Sequence, residues 1–319
     1  MITSPAWHQR VGFQRDWVWR GWKTRYTYLR AVEGGSSPPL ILLHGFGASI
    51  GHWRQNVPEL GRHHTVYALD MLGFGASEKV MAPYGIEFWV EQVYDFWRAF
   101  VGQPVVLVGN SIGSLICLAV AASHPEMVCG IVMLNLPDSS VLENPEWVSR
   151  SLSLLNPIAK PALSAVKWLL TLPPIFNTVF WLIRQPAVLR VWAKQAYATP
   201  TAITDELIEI FSSPAYERGA AKTLRAMVNG KTRSGVSYAA KDVLPRLQIP
   251  MLLFWGLKDK MVPPKLARLF LKYNPKLKLI EIEDAGHCPH DEHPERVNRE
   301  ILAWLKMIKH EAGIDKDFP

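Results

Sequence analysis

Three side chains far apart in the chain have the types and settings for acyl-transfer chemistry: Ser111, Asp259 and His287. Ser111 sits in Gly109-Asn110-Ser111-Ile112-Gly113, directly after the apolar run 105–108 and directly before a helix-forming stretch. A strand that turns at once into a helix strains its turning residue and tolerates only small residues two positions to either side. Such a turn lifts the hydroxyl above the sheet, over a helix N-terminus whose free N–H groups favour a developing anion. A serine hydroxyl is a poor nucleophile at neutral pH, so an imidazole must take its proton and an acid must fix the imidazole's tautomer. His287, in Gly286-His287-Cys288-Pro289, is the one of the ten histidines set by a glycine directly after a C-terminal strand-like run. His290 and His293 fall where the next helix would begin and are read as rim residues. Asp259 closes a turn after the apolar run 251–256, and Asp138, after the run near 129–136, is its rival for the acid.

The elements that must hold these residues follow from periodicity. An aromatic-rich pair of strands is expected within 16–30, and further strands near 39–44, 65–70, 105–109, 129–135, 251–256 and 277–283. Val90, Val93, Tyr94, Trp97 and Val101 recur at helical spacing, as do Val297, Ile301, Trp304, Leu305 and Ile308. Strands alternating with helices predict the α/β class, with a mostly parallel sheet covered on both faces. The alternation stops after Pro137 and resumes near residue 247. The expected organisation is therefore a core in two parts, 1–136 and 247–319, with a helical insertion over 137–246. Gly45 and Gly47 let the loop after the strand near 40 come close to a substrate, with His44 bracing that loop. The Asp70–Ser77 segment shapes the site without chemistry.

Composition narrows the classes. A chain of 319 residues with 49% apolar content can bury a large core. Its three cysteines, Cys117, Cys129 and Cys288, are scattered, and neither a disulfide framework nor a metal-ligand spacing appears. Cys117 and Cys129 read as core, and Cys288 as a residue lining the site. No cofactor motif is present. The N-terminus lacks a signal pattern and no apolar run reaches the ~18 residues of a spanning helix, so a cytoplasmic protein is expected. The net charge of +7 is compatible with nucleic acid, but no zinc knuckle, aromatic-interleaved RNA motif or basic readout helix accompanies it. Between Arg150 and Pro200 there are six basic residues, Arg150, Lys160, Lys167, Arg184, Arg190 and Lys194, and no acidic one. Trp168, Phe176, Phe180 and Trp181 crowd the same stretch. It is either a buried core with a solvated basic rim, or a surface that touches an anionic membrane or lipid-like substrate.

The segments His44-Gly45-Phe46-Gly47, Asp70 to Ser77, Gly109 to Gly113, Gly256 to Asp259 with Val262-Pro263, and Gly286-His287 together resemble the α/β-hydrolase-fold superfamily along almost the whole chain. The chain order Ser, Asp, His is also the order of that fold. The resemblance implies a mostly parallel sheet with helices on both faces and a cap inserted after the sixth core strand. It implies Ser111 as nucleophile, His287 as base and Asp259 as acid, although related enzymes sometimes carry the acid at the position of Asp138. It also implies an oxyanion hole formed by the backbone N–H groups of Phe46 and Ile112. A serine at the elbow argues against haloalkane dehalogenases and epoxide hydrolases, which attack with aspartate. Carbon–carbon hydrolases share the Gly-Asn-Ser-x-Gly elbow but carry tryptophan where Cys288 stands, and a different oxyanion loop. The expected activity is hydrolysis of a lipophilic carboxylic ester through an acyl-enzyme. A carbon–carbon hydrolase and a non-catalytic ligand-binding protein of the same fold are the alternatives.

The stretch from Phe88 to Asn135, with Trp89, Gln92, Asp95, Phe96, the run from Gly102 through Gly113, and Val128-Cys-Gly-Ile-Val-Met-Leu-Asn135, is similar to the pheophytinase and chlorophyll dephytylase group. That resemblance implies the phytyl ester of a chlorophyll-type tetrapyrrole as substrate. Two positions depart from the group's pattern: His44 stands where a proline is expected, and Ser114 where a glycine is more usual.

Overall fold

Short apolar runs rich in valine, isoleucine and leucine pack well on a pleated surface buried on both faces, and here they become the strands of one eight-stranded sheet. The computed structural model describes residues 6–32, 37–142, 172–230 and 237–311. The strands are β1 (Phe13–Trp19), β2 (Trp22–Leu29), β3 (Leu40–Leu43), β4 (Val66–Leu69), β5 (Val105–Asn110), β6 (Val128–Leu134), β7 (Met251–Gly256) and β8 (Leu277–Ile282). Their order is β1-β2-β4-β3-β5-β6-β7-β8. β1 and β2 pair antiparallel, β2 meets β4 antiparallel, and every pair from β4 through β8 is parallel.

Alternation along the strands divides the core into two layers, since successive side chains point to opposite faces. Ile41, Leu43, Leu107, Ile131, Met133 and Leu253 join one cluster. Leu40, Leu42, Val108, Val132, Leu134 and Phe254 join the other. Numbering only helices of eight residues or more, α1 (Ile86–Phe100) and α2 (Ile112–Ser123) cover the first layer. Val90, Val93 and Phe96 face it, while Tyr94 and Trp97 of the expected stripe pack at its margin. The C-terminal helix (Pro294–Glu311) covers the second layer through Val297, Ile301, Trp304 and Leu305.

Between β6 and β7 the described residues form helices and turns and no strand. The longer helices are α3 (Pro173–Ile183), α4 (Pro186–Ala196), α5 (Asp205–Ser212) and α6 (Ala220–Val228), which makes the C-terminal helix α7. Prolines open α3 and α4 at their first helical position, where a missing N–H costs nothing. Thr204 caps α5, its hydroxyl oxygen accepting the Leu207 N–H at 3.1 Å. Ala193, Tyr197, Leu207 and Ile208 form a small separate core that also takes in Cys288. Arg150, Lys160, Lys167 and Trp168 lie outside the described residues. Among the described residues no helix is long and apolar enough to cross a membrane.

Parallel strands bring their C-terminal ends to one edge of the sheet, which is where open α/β sheets bind ligands. The loops carrying Gly45, Asp70, Ser111, Asn135, Asp259 and His287 all leave strands at that edge.

Candidate functional site

Ser111 is the hinge between β5 and α2, with φ 54° and ψ −119°, a left-handed conformation that a non-glycine residue adopts only when its surroundings impose it. The two flanking glycines show what imposes it. A Cβ at Gly109 would stand 2.3 Å from the carbonyl carbon of Gly113, and one at Gly113 would stand 2.1 Å from the Leu43 carbonyl oxygen. The Ser111 N–H donates to the Leu134 carbonyl at 2.9 Å, fixing the turn to β6. Ser114 is wholly buried; its hydroxyl donates to the Gly109 carbonyl at 2.7 Å and accepts the Leu134 N–H at 3.0 Å. A glycine there would leave those groups of the elbow without this partner.

His287 and Asp259 meet although 28 residues separate them: His287 Nδ1 lies 2.7 Å from Asp259 Oδ2. An ionised carboxylate can only accept, so Nδ1 carries the proton and Nε2 remains available to take one. Asp259 Oδ2 also accepts the Asn135 side-chain amide at 2.7 Å, and Oδ1 accepts the N–H groups of Met261 at 2.7 Å and Val262 at 2.9 Å. Burial pushes the Asp259 carboxyl up, but the His287 hydrogen bond and charge, with the Val262 and Asn135 donors, outweigh it and hold the group below its ordinary value. Asp138 is occupied elsewhere: its oxygens accept the N–H groups of Ser140 at 2.7 Å and Ala240 at 2.6 Å. It pins the two ends of the inserted segment together, and the bond to His287 is made by Asp259.

The loop after β3 approaches Ser111 closely. A Cβ at Gly45 would lie 2.9 Å from Asn110 Oδ1 and 3.5 Å from Ser111 Cβ. Phe46 follows it, half-exposed, with its ring 5.2 Å edge-on from Phe74. Ile112 is the first residue of α2, where a backbone N–H has no partner within the helix. His44 is fully buried, and burial drives its pKa down to about 4, so it is neutral. It accepts the Met71 N–H at Nε2 (3.2 Å) and donates from Nδ1 to the Gly45 carbonyl (2.7 Å), tying this loop to the one after β4. Asp70 organises that second loop by accepting the N–H groups of Ile50 at 2.6 Å and Ala76 at 2.7 Å.

Ser111 and His287 open into one cavity of about 520 Å³. Its floor includes Gly45 and Phe46, and its walls come from the inserted helices through Phe180, Leu189, Trp192, Phe211, Leu224 and Met227. Among the described residues, Lys79 and Arg184 are the lysine and arginine on its lining. The Lys79 ammonium donates to the Gly75 and Ser77 carbonyls and pairs with Glu217 at 3.0 Å. Cys288 also lines the cavity, but burial, then the charges of Asp291 and Glu292, push its thiol far above the ordinary range, which disqualifies it as a thiolate nucleophile. Among the described residues no group of three or more His, Cys, Asp or Glu could hold a metal ion.

Two readings from the sequence need correction. His290 is not at the rim: it is completely buried, its ring 4.4 Å from both Trp53 and His52. The helix that carries it, Pro289–Glu292, packs inward because distant segments meet it in a buried polar cluster, in which Arg54 pairs with Asp291 at 2.9 Å and the Tyr197 hydroxyl donates to Asp291 at 2.8 Å. Cys129 is half-buried rather than part of the inner core. Sequence reading also missed Asn135 and Glu292. Asn135 has φ 50°, a conformation in which asparagine is enriched, and its position at a strand end was the available signal.

With this geometry in place, comparison with known proteins decides the family. The sequence profile of the α/β hydrolase fold matches residues 38–294. The chain belongs to the α/β-hydrolase fold family. This α/β hydrolase is 26% identical to chloroplastic pheophytinase of Arabidopsis thaliana over 90% of its own length, and spans 65% of that relative. It is 28% identical to 2-hydroxy-6-oxo-6-(2'-aminophenyl)hexa-2,4-dienoic acid hydrolase of Metapseudomonas resinovorans, covering 89% of this chain and 88% of the relative. Among solved structures it resembles a serine hydrolase of carbazole degradation, with TM-score 0.72, 25% identity and coverage of 92% of this chain and 99% of that one. A bacterial membrane phospholipase A shares the fold at TM-score 0.73 and 22% identity, covering 95% and 89% of the two chains.

Proposed function

We propose that this hydrolase cleaves the carboxylic ester of a lipophilic substrate through an acyl-enzyme formed on Ser111. The observation that carries the reading is a strained serine elbow that lines one apolar cavity together with a histidine whose Nδ1 is committed to Asp259. Ser111 Oγ adds to the ester carbonyl while its proton passes to His287 Nε2. The tetrahedral oxyanion accepts hydrogen bonds from the Phe46 and Ile112 N–H groups, each contributing about 3 kcal/mol to the transition state. The imidazolium, stabilised by Asp259, returns the proton to the departing alcohol. Water then adds to the acyl-enzyme with His287 again taking a proton, releasing the acid and restoring Ser111.

The helices between residues 137 and 246 act in this reading as a cap that excludes water and supplies the apolar contacts. A cavity of about 520 Å³ is of the size that holds a drug-sized ligand. One lipophilic arm fits inside it, with a bulkier head at the mouth. Similarity to pheophytinase makes a phytyl ester of a chlorophyll-type tetrapyrrole the substrate to try first.

A fluorophosphonate probe should label Ser111 in the folded protein. Turnover of p-nitrophenyl esters should rise from acetate toward long acyl chains, by up to about fourfold per buried methylene at ~0.8 kcal/mol each. Incubation with pheophytin should release free phytol. A strict preference for acetate, with no phytol formed, excludes the lipophilic ester.

The dienoic acid hydrolase relative keeps a second reading open, cleavage of a carbon–carbon bond by the same serine and histidine. Consumption of a 2-hydroxy-6-oxo-hexadienoic acid faster than of any ester would select it.

A further inference from the structure

We propose that the mouth of the cavity is a docking face for an anionic phospholipid bilayer. The same two helices that wall the cavity present large apolar side chains to solvent. Phe180 and Ile183 of α3 and Leu189 and Ala193 of α4 line the cavity, whereas Trp181 and Leu182 are 56% and 53% exposed and Val191 is 61% exposed. Trp192 and Met261 do both: each lines the cavity and remains more than half exposed, which places them at its entrance. Five large apolar side chains standing in water on α3, α4 and the Met261 loop, two of them at the opening itself, cost free energy unless a partner covers them.

The charge around the opening selects the partner. Lys194, one turn beyond Val191 on α4, is exposed, and Lys260 reaches it, its ammonium 3.5 Å from the Lys194 carbonyl. Lys258 and Lys260 are exposed on the loop that also carries Met261. None of the three lysines pairs with a carboxylate among the described residues, whereas Arg190 of α4 is neutralised by Asp205. Residues 172–200 contain no Asp or Glu. Tryptophan and leucine beside unpaired lysines are the side chains of an interfacial surface, in which rings and aliphatic chains enter the headgroup boundary and ammonium groups meet lipid phosphates. Docking in this orientation turns the mouth toward the bilayer, so that a lipophilic substrate reaches Ser111 without crossing water. Its purpose rests on the lipophilic-ester reading; its test does not.

Flotation is measured with the Ser111→Ala protein, so that no turnover enters the result, on vesicles of phosphatidylcholine alone and of phosphatidylcholine with a quarter phosphatidylglycerol. At least fivefold more protein should float with the anionic vesicles, and the excess should fall severalfold as salt rises from 0.1 to 0.5 M, where exposed charges are screened within a few ångströms. Trp181→Ser with Leu182→Ser, and separately Lys194→Glu with Lys260→Glu, should each remove at least four-fifths of the binding while leaving the melting temperature within a few degrees. Equal flotation on both vesicle types, or none, overturns the proposal. So does a dimer in light scattering that Trp181→Ser with Leu182→Ser dissociates and that binds no vesicles, since the face would then belong to a second copy of the chain. A protein that floats as expected but cleaves no long-chain ester keeps its docking face and loses the lipophilic-ester reading.

Discussion

The main-chain N–H of His287 donates to the carbonyl of Ala196 at 2.6 Å, so the loop bearing the candidate base is bonded to the last residue of α4. Glu292 reinforces the junction from behind. Its Oε1 accepts the Gly286 N–H at 2.7 Å, and its Oε2 accepts those of Ala198 at 2.7 Å and Thr199 at 2.9 Å. The end of α4 and the histidine loop are therefore tied together by hydrogen bonds from both sides.

Glu292→Ala should accordingly damage both stability and turnover. Three amide donors lose their acceptor in a half-buried place, at a cost of about 2–3 kcal/mol once water has partly replaced the carboxylate. Turnover should fall about tenfold as His287 loses its support, and Glu292→Gln, which keeps one acceptor, should fall between. Chemical denaturation and ester kinetics on the two variants check this; unchanged values for Glu292→Ala would mean the junction holds without it.

Asp259 and Asp138 should separate cleanly. Asp259→Asn presents an amide to His287 Nδ1 and favours the wrong tautomer, a change that costs about 10⁴ in kcat where the acid plays this part. Asp138→Asn weakens two backbone bonds at the base of the insertion and should cost about 1–2 kcal/mol of stability with kcat nearly intact. Steady-state kinetics beside melting curves would reveal the opposite pattern if Asp138 were the acid.

The acid side of the stability profile should also carry the mark of Asp259. Its carboxyl titrates below its ordinary value of 3.8 in the folded protein, so the unfolded chain binds the proton more readily than the native one. The stabilisation is complete above that value and is lost as pH falls through the lower, folded pKa. Urea unfolding of the wild type and Asp259→Asn between pH 5 and pH 2 should show the difference between them shrinking toward the acid end. A difference that stays constant would show that the carboxylate contributes nothing through its charge.

His290→Leu should be tolerated or stabilising. Both ring nitrogens of His290 are buried and make no hydrogen bond among the described residues, and burial, reinforced by the neighbouring His52, holds the ring neutral. Replacing an unsatisfied polar ring with an apolar side chain of similar size between His52 and Trp53 removes a penalty of about 1 kcal/mol or more. A melting temperature several degrees lower would mean that the ring has a partner the leucine cannot replace.

The sheet and the elbow were legible in the sequence because both depend on local pattern. Runs such as Val105 to Val108 and Met251 to Trp255 are too apolar to be anything but buried strands, and Gly109 and Gly113 announce the tight crossing that the backbone contacts then display. What escaped was decided by contacts across the chain. His290 reads as a rim residue because it falls where the next helix would begin, yet the adjoining Asp291 turns inward to meet Arg54 and Tyr197 from distant segments. Local pattern alone favours Asp259 over Asp138; the distance from its carboxylate to the histidine in another loop is something spacing does not carry.

The placement of the insertion has a consequence for how such chains diversify. The chain leaves the sheet just past Leu134 and returns at Met251, and β6 and β7 are neighbours in which Leu134 stands opposite Phe254. In a parallel pair the chain leaves at one edge of the sheet and returns at the other, yet the two ends of the inserted segment meet, the Asp138 carboxylate accepting the Ala240 N–H across the opening. Lengthening or exchanging a segment anchored this way adds little closure entropy, since each doubling of loop length costs only about 0.6 kcal/mol, and it shifts no strand register. The helices that wall the cavity beside Ser111 form a cassette whose exchange leaves the strand that carries Ser111 in place.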